Sequence, residues 1–182
     1  MARLPYVDPE QASPKVREAL DVLPPLNIFR TVAHAETCFR PFLRLGQAIL
    51  TQQKLDPVLR ELAILRVARL TPAEYEWVQH VDIAKAVGAT EDQVAALEAG
   101  DADADCFDAS QQLVLRFTTD VVQDARTSDE TYGELSELLS DQEIVELVLA
   151  IGYYMMIARV MEVTEIDIDP PAGKAVLDSN RN

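Results

Sequence analysis

Strand-forming runs are what this sequence most lacks. Stretches of Val, Ile, Thr and aromatics bounded by turns are nearly absent, aromatic residues make up only 6%, and 182 residues contain just 6 glycines. That excludes a strand-built fold as the expectation and points to an all-α one. Basic charge is also short: 16 Lys and Arg against 31 Asp and Glu leave a formal net charge of −15. Phosphate neutralisation needs clustered cations, so nucleic acid and anionic membrane surfaces are not expected partners. The two cysteines, Cys38 and Cys106, form no CxxC, and no zinc-type ligand spacing occurs. Two free thiols, and no metal, are the expectation. The opening MARLPYVDPEQ has no apolar leader segment. The longest apolar run, LVLAIGYYMMIA (147–158), is too short to cross a bilayer and lies between Glu146 and Arg159. A cytoplasmic protein is expected.

Helix formers and helix punctuation are what is present. Ala, Leu, Glu, Gln and Arg dominate, and 48% of residues are hydrophobic, enough for a core. Ser13-Pro14 opens a helix that Pro24-Pro25 stops, and LNIFR (26–30) reads as a connector. Helical spacing of Phe39, Phe42, Leu43, Leu45, Ile49 and Leu50 predicts a helix over about 35–52. Asp56-Pro57 reads as the cap and first turn of a helix through Leu70. Thr71-Pro72-Ala73-Glu74 reads as a capping box opening a helix that Gly88 ends. Thr90/Gln93 and Ser140/Glu143 are further capping boxes; helices at 109–125, 129–139 and 141–162 complete the pattern. The expectation is an all-α, single-domain bundle of seven to eight helices spanning 1–182. Residues 164–182 form an extended arm, either disordered or lying on a neighbouring subunit. ELAILRVARL and EIVELVLAIGYYMMIARV are apolar on most sides, so both are central helices or subunit interfaces. A homo-oligomer (dimer, trimer or hexamer) is expected.

TPAEYEWVQH (71–80) concentrates the chemistry-bearing residues. Residues three or four apart share a helix face, so Glu76 and His80 lie on one stripe, with Tyr75 on the next. A carboxylate can orient an imidazole that then moves protons near neutral pH. Burial beside Tyr75 would raise the Glu76 pKa. The same spacing also describes a surface ion pair worth roughly 0.2–0.5 kcal/mol, and Trp77 fits plain packing. Glu61 interrupts an otherwise apolar helix, and periodicity does not settle which way it faces.

RELAILRVARLTPAEYEWVQHVDIAKAVGAT (60–90) resembles the signature region of the carboxymuconolactone decarboxylase family, within the alkylhydroperoxidase D-like superfamily. The likeness extends through LNIFRTVAHAE, FLRLGQAIL, LVLRFTTDVV and SDETYGELSELLSDQEIVELVLAIGYYMMIARV. It implies an all-helical, cofactor-free, oligomeric protein. The family's peroxidase branch carries a glutamate, a CxxC and a histidine four residues beyond the second cysteine. Glu61 and His80 fall on the glutamate and histidine, while Ala73 and Glu76 stand where the thiols would be. Peroxide reduction needs those thiols, so peroxidase activity is disfavoured.

The resemblance thus implies a cofactor-free lyase or isomerase acting on a small carboxylated lactone or enolisable acid. Its catalytic residues would be His80, Glu76, Glu61 and Tyr75. An arginine should hold the substrate carboxylate. Arg30, Arg40, Arg44 and Arg159 are the candidates, with Trp77 as a further contact. The alternatives are an alkylhydroperoxidase-type antioxidant activity and a non-catalytic helical oligomer that binds a ligand or protein.

Overall fold

The computed structural model describes residues 1–172 and 175. Among them are nine α-helices and no strand: α1 (Pro14–Leu20), α2 (Asn27–Val32), α3 (Glu36–Thr51), α4 (Pro57–Leu70), α5 (Glu74–Val87), α6 (Glu91–Glu98), α7 (Ala109–Asp124), α8 (Asp129–Leu138) and α9 (Asp141–Thr164).

The bundle is organised around α4. Every residue from Leu59 to Leu65 is buried, as are Val67 and Ala68, and α5, α7 and α9 pack around it. A helix apolar on all sides needs partners on all sides. One side of α4 (Ala63, Ile64, Val67) joins the main core with α9. The other (Leu62, Leu65, Ala68) joins a second core with Trp77, Val94, Leu97 and Leu115. The Asp56 side chain accepts the Val58 and Leu59 amides, which fixes where α4 starts. Reciprocal capping boxes at Thr90/Gln93, Asp108/Gln111 and Ser140/Glu143 start α6, α7 and α9.

Three local expectations are corrected. LNIFR is helical, because Ile28 and Thr31 point inward as α2. Thr71 does not open α5: it is the C-cap of α4, and its hydroxyl donates to the Val67 carbonyl at 2.7 Å. Helix α5 starts at Glu74 behind Ala73, without a side-chain cap. The apolar run 147–158 is part of a longer helix. By length and composition α9 is sufficient to cross a membrane, yet half of its most apolar window is buried inside the bundle.

Beyond α9 the chain turns back over its own subunit. The Asn27 amide donates to Asp169 at 2.6 Å, Tyr6 donates to Asp167 at 2.9 Å, and the Ala172 amide donates to Gln79 at 2.9 Å. The first part of the expected arm is therefore a strap on the chain that bears it; residues 173, 174 and 176–182 lie outside the described residues.

Candidate active site

A cleft of about 560 Å³ opens between α3, α5 and α9, with α1 and α2 at its rim. Glu76 and His80 line it from α5, and Tyr153 and Tyr154 from α9. The stripe Arg40, Leu43, Arg44, Gln47 and Leu50 lines it from α3, as the 3–4 spacing of a helix face requires.

Glu61 is 0% exposed on α4, just behind this wall. One carboxylate oxygen accepts Nε of the buried Arg60 at 3.0 Å, and the other meets His80 Nδ1 at 2.8 Å. A carboxylate in this position makes Nδ1 the donor, which fixes the ring orientation. Nε2 then has no protein partner among the described residues. The Tyr154 ring meets the imidazole edge-on, 4.7 Å between centroids. The carboxylate paired with His80 is therefore Glu61. The expectation that Glu76 orients His80 from one turn away is corrected: Glu76 is 2% exposed, and neither of its oxygens has a hydrogen-bond partner among the described residues.

Glu76 is thus a buried carboxyl facing the cleft without a donor. Desolvation first, and the neighbouring Glu61 second, push its pKa well above the ordinary value of 4.5. Its place in the first turn of α5 works the other way, but a helix N-terminus favours an anion by only ~0.3–1 kcal/mol. Burial without any donor outweighs that, so the fold favours the protonated form of Glu76. Two carboxyls side by side therefore differ in kind: Glu61 accepts from two cations or donors, and Glu76 can itself donate. Burial likewise raises the Tyr154 pKa.

Tyr75 lines the cleft with its ring, but its hydroxyl donates to Asp169 at 2.6 Å and accepts the Ile28 amide. Burial and that carboxylate raise its pKa. Its one proton is committed to the strap and does not point into the cleft. Gln79 likewise bonds the strap, donating to the Asp169 and Pro170 carbonyls.

Two of the four candidate arginines reach the cleft. Arg40 is ion-paired to Glu18 and donates to the Lys15 carbonyl. Arg44, exposed at the mouth, has no partner among the described residues. The other two are corrected. Arg30 stacks over Tyr6 (5.4 Å) and donates to the Val7 carbonyl, holding the N-terminal arm. Arg159 lies exposed on α9 and bonds the Met155 carbonyl of its own helix. Trp77 is corrected too: it is buried in the second core under Arg69, 3.7 Å from its guanidinium.

Arg60, Tyr153, Tyr154 and the strap residue Asp169 went unread in the sequence. The adjacent tyrosines inside an apolar helix were the available signal, since a buried hydroxyl wants a polar environment. Gly46 was another. A Cβ there would collide with the Tyr153 hydroxyl, which donates to the Phe42 carbonyl at 3.0 Å. The described residues contain no cluster of three or more His, Cys, Asp or Glu suited to a metal. Cys38 is exposed on α3 and Cys106 half-buried between α6 and α7; neither lines the cleft.

Residues 37–120, which hold Arg40, Arg44, Glu61, Glu76 and His80, match the family model for the carboxymuconolactone decarboxylase family. The likeness to that family lies in this segment, which is a little under half of the chain. The bundle is also similar to solved structures. One is an uncharacterized peroxidase-related protein from Ralstonia eutropha JMP134, described as an alkylhydroperoxidase AhpD core (TM-score 0.79, 18% identity, 92% of each chain). Another is an uncharacterized peroxidase-related protein from Silicibacter sp. TM1040 (TM-score 0.78, 17% identity, 92% of each chain). At such identities the likeness concerns the fold, which is AhpD-like. No curated protein matches the chain.

Proposed function

We propose that this protein, similar over residues 37–120 to the carboxymuconolactone decarboxylase family, is a cofactor-free lyase or isomerase that moves protons on an enolisable carboxylated substrate. One observation carries the reading: Glu76, a buried carboxyl in the cleft wall without a donor, faces the same space as a histidine already oriented by a second carboxylate. In decarboxylation the C–C bond to the carboxylate breaks and its electron pair passes into an enolate. Neutral Glu76 donates to that enolate, and a proton is then delivered to carbon. His80 Nε2 takes or returns a proton, with Glu61 stabilising the imidazolium. Arg44 holds a carboxylate at the mouth. General acid–base groups of this kind contribute about 10²–10⁴-fold.

The thiol peroxidase reading finds no support in the site, because both cysteines stand outside the cleft. The test is turnover of a carboxylated lactone and a panel of β-keto acids by wild type and His80→Ala, with the fold checked by circular dichroism. Loss of turnover in a folded variant supports the reading. Equal turnover by both defeats it.

We also infer that a second copy covers α9. Val145, Leu149, Gly152, Met156, Arg159 and Val163 are exposed at alternating four- and three-residue spacing, apolar but for Arg159 and with Gly152 near the centre of the seam. None of the described residues stands where a Gly152 Cβ would go, so close approach by a partner helix explains this residue in mid-helix. A parallel pair would set Arg159 against its copy. An antiparallel pair brings Arg159 toward the acidic first turn of Asp141 and Glu143.

A further inference from the structure

The cleft is far roomier than proton transfer on a compact ring requires. At about 560 Å³ it falls in the range of pockets that enclose drug-sized ligands. Its chemistry is also divided. The acid–base groups Glu76 and His80 sit against α5, whereas Arg44, a cation unpaired among the described residues, stands at the mouth on α3. Between these poles the walls are mostly apolar, with Gln47 and Gln79 as polar exceptions. Rings run from Phe42 to Tyr153 (5.2 Å), Tyr153 to Tyr154 (5.4 Å) and Tyr154 to His80 (4.7 Å). Across from them Leu50 packs on Ile83, one turn beyond His80. The hydroxyl of Tyr153 is turned away to the Phe42 carbonyl, so it offers the cleft its ring. A short polyanionic lactone would leave these walls wet and its extra charges unpaired.

We propose that the cleft binds an amphipathic monocarboxylate, with the carboxylate at Arg44 and an extended aliphatic or aromatic body along the ring wall toward Glu76 and His80. The apolar body supplies most of the affinity, because an exposed ion pair contributes little. Each buried methylene tightens binding about fourfold. Loss of Arg44 weakens it by no more than about fivefold. The assignment rests on the acid–base reading in its isomerase form: with the sole carboxylate held at Arg44, the reaction beside Glu76 and His80 is proton transfer at a remote enolisable carbon and not loss of that carboxylate, and binding itself needs no turnover.

The test is calorimetric titration of the full chain with hexanoate, octanoate, decanoate and dodecanoate, each below its micellar concentration, and with citrate as a short polyanion. Kd should fall about fourfold per methylene across the series, and citrate should not compete. Leu43→Trp, at a half-buried position of the cleft wall, should abolish dodecanoate binding, while Leu149→Asp on α9 should leave it intact. The proposal is overturned if hexanoate and dodecanoate bind alike, if citrate binds more tightly than dodecanoate, or if Leu43→Trp binds dodecanoate as wild type does. If the chain-length series holds but His80→Ala retains turnover, the acid–base reading fails and the cleft assignment stands.

Discussion

Replacing Glu76 by glutamine should make the protein more stable, and increasingly so as pH rises. In the unfolded chain Glu76 titrates near its ordinary value of 4.5; in the fold, burial without a donor and the proximity of Glu61 hold it well above that. Between the two values the unfolded state has lost the proton and the folded state keeps it. Wild-type stability therefore falls with pH across this window, by about 1.4 kcal/mol per unit for one proton. The Glu76→Gln variant has no proton to lose at this position, so the slope disappears. Carboxylates elsewhere titrate in both proteins and cancel in the difference. The gain of the variant should grow by roughly 1 kcal/mol from pH 5 to 6, and by about 1.4 kcal/mol per unit above that until the folded pKa is reached. Urea unfolding at fixed protein concentration, at half-unit pH steps, measures it. A stability difference that does not change between pH 5 and 7 would mean that Glu76 ionises in the fold as it does in the unfolded chain. The neutral acid would then be lost from the mechanism.

Other perturbations separate the parts of the site. Glu61→Gln leaves the buried Arg60 without its carboxylate, and should cost about 3–5 kcal/mol in urea unfolding, as well as activity. Gly46→Ala drives a methyl into the Tyr153 hydroxyl and should destabilise by about 1–3 kcal/mol, despite the usual helical preference for alanine. Tyr75→Phe removes the bond to Asp169; it should cost about 1–2 kcal/mol and speed hydrogen exchange at the Asn27 amide. Leu149→Asp should shift the protein to monomer on size-exclusion chromatography with light scattering, and an unchanged mass would remove α9 as the interface.

Helices were the most legible part of this sequence, for a physical reason. Asp56, Thr90, Ser128 and Ser140 satisfy amides of their own first turns, so local chemistry sets those boundaries. Thr71 misled because its hydroxyl had a competing local partner, the Val67 carbonyl one turn back. In the site, the 76/80 spacing placed both groups on the cleft wall. It did not reveal that His80 reaches across to Glu61, nineteen positions away and on another helix. Such a pairing depends on how α4 packs on α5, which no single-helix periodicity contains. Arg30 and Arg159 show the same limit: chemically suited arginines are spent on the N-terminal arm and on α9's own carbonyl. Trp77 sits beside Glu76 in sequence but turns to the opposite core, a consequence of the roughly 100° step between helical neighbours.

The most direct test of the central claim is deuterium incorporation from D2O at the reacting carbon of an enolisable carboxylate, followed by NMR. It should be run with wild type, Glu76→Gln and His80→Ala. The account predicts incorporation by wild type and a loss of about 10²-fold or more in both variants. Undiminished incorporation by folded His80→Ala would contradict it.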